Sequence, residues 1–119
     1  MNKKQKKILY FDMDNVLVDF ASGIARLSEE TRKEFDGRLD EVPGIFSLMK
    51  PLVGAVDAVK LLSQYFDVYI LSTAPWKNIS AWSDKAAWVQ KYFDDDKDSP
   101  FYKRLILSHY LCTVKNDKK

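Results

Sequence analysis

Asp12 and Asp14 are two carboxylates two residues apart, directly behind the apolar run Ile8-Leu9-Tyr10-Phe11. Successive strand side chains alternate between faces, so residues two apart project the same way. Two acids released from the end of one buried strand can therefore converge on one reaction centre. A divalent cation relieves their mutual repulsion, and oxygen ligands that leave room for water and phosphate suit Mg²⁺. One carboxylate can attack phosphorus and form an acyl-phosphate. The other can protonate the leaving oxygen and then activate water. An acidic pair alone is a weak signal, because such pairs are common in turns. Four apolar residues before it and Asn15-Val16-Leu17 after it make the signal strong.

Three short apolar runs, residues 8–11, 68–71 and 105–107, read as buried parallel strands. Each is followed by a polar residue: Asp12, Ser72 and Ser108. Two helical patterns lie between them. Ala55, Val56, Val59, Leu62 and Phe66 recur at helical spacing, and Trp82, Ala86, Val89 and Phe93 form a second stripe. Strands alternating with helices imply right-handed crossovers and a three-layer α/β sheet. Ligands in such sheets sit beyond the carboxyl ends of the strands, which predicts Asp12, Ser72 and Ser108 on one rim.

Sixty residues separate Asp12 from Ser72, about twice a βαβ unit. The surplus, residues 19–50, is expected to hold a helix near 19–34 and irregular chain around Gly37, Pro43 and Gly44. It carries Phe20, Ile45, Phe46 and Met49, apolar residues that need cover, and reads as a roof over the site. The chain is read as one domain: a core of 7–18 and 51–109, an insertion of 19–50 and a tail of 110–119.

Composition narrows the function classes. Hydrophobic residues make up 46% of the 119 and aromatics 13%, so the chain is globular rather than disordered. The net charge of +2 comes from lysines near the two ends, and residues 8–114 carry −4. A basic groove for a nucleic-acid polymer is not expected. Cys112 is the single cysteine, which excludes an internal disulfide and fits a reducing compartment. The apolar run behind the first lysines breaks at Asp12, too early for a signal peptide, and no apolar stretch is long enough to span a bilayer. A cytoplasmic protein is expected.

The run Ile8-Leu-Tyr-Phe-Asp12-Met-Asp14-Asn-Val-Leu-Val-Asp-Phe20 resembles the first motif of the haloacid dehalogenase-like phosphohydrolases and, more narrowly, that of the 5'(3')-deoxyribonucleotidases. Pro51-Leu-Val-Gly54-Ala-Val resembles the segment entering the helix after that family's cap. Val68-Tyr-Ile-Leu-Ser72-Thr73-Ala-Pro75 resembles its second motif. Trp82-Ser-Asp-Lys85-Ala-Ala-Trp88-Val and Arg104-Leu-Ile-Leu-Ser108 resemble its later helix and strand. These matches run in order from about residue 7 to 109.

The resemblance implies a Rossmann-like parallel sheet of the haloacid dehalogenase-like type, with a small helical cap inserted after the first strand. It implies a Mg²⁺-dependent phosphomonoesterase acting on the 5'- and 2'/3'-phosphates of deoxyribonucleotides. Asp12 would be the nucleophile and a Mg²⁺ ligand. Asp14 would be the general acid/base and ligate Mg²⁺ through its carbonyl. Ser72 would hold a phosphate oxygen, with Thr73 beside it. A hydroxyl and free N–H groups at a strand-to-helix turn suit an anion on physical grounds as well. Lys85 falls near the apolar stripe of its helix and is read as phosphate-binding, with a snorkelling lysine as the alternative. Phe20, Phe46 and Trp76 are candidates to wall the nucleoside, by base stacking and by an apolar surface against the 2' carbon. Core packing is the alternative for Phe46 and Trp76. Trp82 and Trp88 are read as packing, and His109 as a surface residue.

After a strand like residues 105–108, relatives carry a phosphate-neutralising lysine, and the matching residue here is Leu111. They then carry a strand ending in paired aspartates that complete the Mg²⁺ shell, and residues 109–119 hold no Asp-Asp pair. The expectation is a C-terminally truncated fold that lacks its final strand and turns over poorly. Residues 8–11 then form an apolar sheet edge, a route to a homodimer, with residues 110–114 as a candidate cover. A non-catalytic nucleotide-binding or protein-interaction module stays open as the alternative, as does a related phosphatase for another small ester. A receiver domain is disfavoured because Ser108, not an acid, ends the third strand. Dinucleotide binding is disfavoured because Gly23, Gly37, Gly44 and Gly54 make no G-x-G-x-x-G.

Overall fold

The computed structural model describes residues 5–110. In chain order the elements are β1 (Lys7–Phe11), β2 (Val18–Asp19), α1 (Phe20–Ile24), α2 (Glu29–Glu34), β3 (Lys50–Pro51), α3 (Ala55–Leu62), β4 (Phe66–Thr73), α4 (Ser80–Phe93) and β5 (Leu105–Ser108), with 3-10 turns at Leu39–Glu41 and Ile45–Leu48.

β1, β4 and β5 form a parallel sheet in that order. The register Leu9↔Val68, Phe11↔Ile70 and Ile70↔Leu105 puts these apolar residues on one face, where Val68 and Ile70 are fully buried. The mixed α/β architecture and the three parallel strands are those read from the apolar runs. The layering differs. Both crossovers step the same way across the sheet, and right-handed connections then place α3 and α4 on the same face. Ile8 and Tyr10 point to the other face and are each 53% exposed. The described residues therefore form two layers rather than the expected three.

Three local boundaries also moved. Phe66 fits the helical spacing of residues 55–62, yet it opens β4. α3 ends at Leu62, and a turn with Tyr65 N donating to Leu62 O at 2.9 Å separates the two. The helix expected over 19–34 is two short helices, because Ser28 caps α2 by accepting from Thr31 N at 3.1 Å. On α4 the buried positions are Ala81, Lys85, Trp88, Val89 and Phe93, one residue round from the stripe that begins at Trp82. Trp88 Nε1 donates to Met49 O at 3.0 Å, and this fixes the helix with Lys85 rather than Ala86 turned inward.

Antiparallel pairs Val18↔Pro51 and Asp19↔Lys50 join the two ends of the 20–49 excursion. Inside it, Ile45, Phe46 and Met49 are buried, and α1 packs against the Ile45–Leu48 turn. Gly23 permits that approach: a Cβ there would lie 2.6 Å from Met49 Cγ. No described helix is long and apolar enough to cross a membrane. The expectations placed on Leu111 and on residues 111–114 fall outside the described residues. Tyr110 is described and exposed.

Candidate active site

β1 stops at Phe11, level with Ile70 of β4, so the residues that follow lie beside Leu71, Ser72 and Thr73. Met13 turns into the core and is 1% exposed. Its backbone oxygen accepts from the N–H groups of Leu17 and Val18, both at 2.9 Å. That tight turn places Asn15 at φ +62°, a left-handed conformation that asparagine tolerates better than most residues. Asp12 is exposed, and its Oδ1 accepts from Met13 N at 2.7 Å. Asp14 is half-buried.

Lys85 reaches these residues from α4 with no exposed surface. Its Nζ donates to Thr73 O at 2.6 Å, to Ser72 Oγ at 3.2 Å and to Asp14 Oδ2 at 3.4 Å, and it stands 4.5 Å from the centroid of the Phe46 ring. The side chain is thus enclosed rather than snorkelling. A buried ammonium requires partners of this kind, and the aromatic face adds a favourable contact. Four of the expected residues, Asp14, Ser72, Thr73 and Lys85, form one hydrogen-bonded group at the carboxyl end of β4.

Electrostatics separate Asp14 from ordinary surface carboxylates. Burial pushes the Asp14 carboxyl up; Lys85 opposes the shift, while Asp12 and Asp40 add to it. Burial likewise pushes the Lys85 ammonium down, against the pull of Asp14. Asp14 Oδ1 is buried and has no hydrogen-bond partner. A proton or a hard cation would satisfy that orphaned oxygen, and an Asp12 oxygen with the Asp14 backbone carbonyl would give the all-oxygen donors that suit Mg²⁺. Among the described residues no three His, Cys, Asp or Glu side chains could hold a metal by themselves. Water and ligand oxygens would have to complete the shell.

Beside the acids lies a cavity of about 260 Å³, lined by Asp14, Asp40, Phe46, Thr73, Trp76 and His109 among others. Trp76 is 75% exposed, which is more than a core residue would show. Phe46 is buried and lines the cavity. Phe20 meets Phe46 edge-on, with centroids 5.9 Å apart, and does not line this cavity. Trp88 is a packing residue, as expected. His109 is exposed, but its ring stands between Trp76 and Trp82 at centroid distances of 4.8 and 5.0 Å, and its Nδ1 lies 3.3 Å from Ala74 O. Sequence reasoning missed Asp40. It is one of 17 acids and sits in irregular chain, where no spacing marks it.

No family model matches the chain. It is 54% identical over 108 residues to a protein of Vibrio phage KVP40 named provisionally as a 5'(3')-deoxyribonucleotidase, covering 91% of this chain and 61% of that one. It is 32% identical over 136 aligned positions to the human mitochondrial 5'(3')-deoxyribonucleotidase, covering 89% and 58%. A protein of Acanthamoeba polyphaga mimivirus, again provisionally named as a 5'(3')-deoxyribonucleotidase, is 31% identical over 112 positions, covering 71% and 51%. The chain spans about half to three-fifths of the length of these curated relatives. Similarity of this extent makes the chain a homologue of proteins named 5'(3')-deoxyribonucleotidase.

Proposed function

We propose that this chain is a phosphomonoesterase module acting on deoxyribonucleoside monophosphates, with Asp12 as nucleophile and Asp14 as general acid/base. The observation that carries this reading is the enclosed Lys85 ammonium, shared by Asp14, Ser72 and Thr73 where two adjacent parallel strands end. The names of the homologues support a nucleotide as the substrate.

In the first step an Asp12 oxygen attacks phosphorus and the ester P–O bond breaks. Asp14 gives its proton to the leaving oxygen, and the nucleoside departs. In the second step Asp14 takes a proton from water, whose oxygen attacks phosphorus. The bond between phosphorus and Asp12 breaks, inorganic phosphate leaves, and both residues return to their starting states. Burial suits Asp14 to this role, because a raised pKa keeps its proton at a pH where an exposed carboxyl has lost it. Lys85 orients Asp14 and limits that rise. A Mg²⁺ held by Asp12 and Asp14 would offset the charge of the phosphate and the two acids.

The 20–49 excursion acts as the cap in this reading. Phe46 from it and Trp76 from the loop after β4 wall the nucleoside, and Phe20 braces Phe46. Ser72 and Thr73 lie at the phosphate end. We also assign the open β1 edge to a second copy of the chain. Antiparallel pairing centred on Leu9 sets Ile8 against Tyr10, so the edge, unpaired among the described residues, offers a second copy an apolar match.

The test is phosphate release from dUMP and dTMP, with Mg²⁺ and with EDTA. Metal-dependent release that Asp12→Asn abolishes is expected. A protein that neither releases phosphate from these nucleotides nor binds them would overturn the reading. No observation favours the non-catalytic alternative.

A further inference from the structure

Asp40 is the carboxylate at this site that neither motif nor spacing marks. It sits in the Leu39–Glu41 turn and lines the 260 Å³ cavity together with Thr73 and Trp76. Its neighbours Arg38 and Glu41 satisfy each other at 3.1 Å. Among the described residues, no lysine or arginine pairs with the Asp40 carboxylate. It is nevertheless close enough to Asp14 and Lys85 to push the pKa of both upward.

A buried amide fixes the backbone of Asp40. Asn78 is 2% exposed. Its Nδ2 donates to Asp40 O and Val42 O, both at 3.0 Å, and its Oδ1 accepts from Ser80 Oγ at 2.6 Å. Ser80 Oγ also accepts from Gly44 N at 3.0 Å. Each of these bonds ties the excursion to the loop after β4 or braces the tie. A satisfied buried network of this kind resists rearrangement, since any shift leaves polar groups unpaired.

Asp40 repels a phosphate group and belongs to no metal-binding cluster of side chains. An unpaired carboxylate held at a cavity wall can accept a hydrogen bond from an O–H or N–H. We propose that Asp40 is the specificity-determining residue of this cavity, accepting from a sugar hydroxyl or base N–H in the nucleoside half of the substrate, with Asn78 as its positioning residue. The inference rests on the phosphomonoesterase reading above and deepens it. Asp40 is exposed, so an ester whose leaving half has no donor leaves the carboxylate hydrated, gains nothing from it and binds more weakly by that one hydrogen bond.

The test compares kinetics on dUMP and on phenyl phosphate, an ester with no donor in its leaving half, for the wild-type chain, Asp40→Ala, Asp40→Asn and Asn78→Ala, with thermal unfolding of each. Asp40→Ala is expected to lower kcat/KM for dUMP by about tenfold or more, chiefly through KM. On phenyl phosphate, which offers the carboxylate no donor, the loss should be at least about fivefold smaller than on dUMP. Asp40→Asn keeps an acceptor oxygen and should recover part of the loss. Asn78→Ala should reproduce the selectivity change with Asp40 intact, at a lower unfolding temperature. Should Asn78→Ala fail to fold, the Asp40 variants decide the matter. Equal effects on both esters, or none, would overturn the assignment of Asp40 alone. A wild-type chain inactive on both esters and unable to bind dUMP would overturn the parent reading, and this inference with it.

Discussion

Lys85 and Asp14 form an asymmetric pair: the lysine side chain has no exposed surface, the aspartate keeps a third of its own, and Nζ lies 3.4 Å from Oδ2. The shortest bond of the lysine, 2.6 Å, goes to the backbone oxygen of Thr73. β4 thus holds the lysine, and the lysine holds the acid.

That order of dependence is measurable. Lys85→Met strands Asp14 beside a buried hydroxyl and carbonyl that have lost their donor, and should destabilise the fold by about 2 kcal/mol. Combined with Asp14→Asn, the loss should be smaller than the sum of the two single losses. A coupling of about 1 kcal/mol is expected, reduced because Asp14 is partly solvated. Urea unfolding of the four proteins reads the cycle, and strict additivity would show that the pair contributes nothing.

Stability should also respond to pH through this acid. The folded-state pKa of Asp14 lies above its ordinary value of 3.8, chiefly through burial. The folded state therefore binds the proton more tightly than the unfolded chain. This carboxyl's contribution is fully present below 3.8 and is lost as pH rises through the folded value. Lys85, lowered from 10.5, gives the opposite slope: stability rises with pH between its folded value and 10.5. The Asp14→Asn protein should gain on wild type as pH climbs above 3.8. Parallel unfolding curves for the two proteins across that range would contradict the shift.

Trp76→Ala separates binding from folding. The indole is largely exposed, so stability should change by less than about 0.5 kcal/mol. If the ring stacks on a base, dUMP affinity should fall by about tenfold, since such stacking is worth roughly 1–3 kcal/mol. Calorimetric titration beside a melting curve checks both halves.

Gly23→Ala sets two effects against each other. Helix propensity favours alanine by up to about 1 kcal/mol. The new Cβ, however, would meet Met49 Cγ at 2.6 Å and the Ile45 backbone oxygen at 3.2 Å. Met49 can bend aside but a backbone carbonyl cannot do so cheaply. A net loss of about 1–2 kcal/mol is expected, visible as a lower urea midpoint.

The sheet was legible because its strands are apolar runs ended by polar residues, and the register of β1 on β4 places Asp14 near Ser72 as the alternation of Asp12, Met13 and Asp14 implies. Side-chain direction on α4 was less legible. The stripe read from Trp82, Ala86, Val89 and Phe93 left Trp88 and Lys85 off it, whereas the folded helix buries both and ties Trp88 Nε1 to Met49 O. Phe66 was misplaced because residues 63–65, Ser-Gln-Tyr, contain neither glycine nor proline to announce the end of a helix. Asp40 could not be found at all, because its position depends on Asn78, 38 residues away in the chain.

Two successive crossovers of one hand spend the same side of the sheet. Any polypeptide that shields Ile8 and Tyr10 with a right-handed parallel crossover must add its strand beyond β1, reversing the direction in which the sheet grows. β1 then stands at the reversal, and open α/β sheets receive their ligands in the crevice that a reversal leaves. The strand that delivers Asp12 and Asp14 is the one at which such a crevice would open.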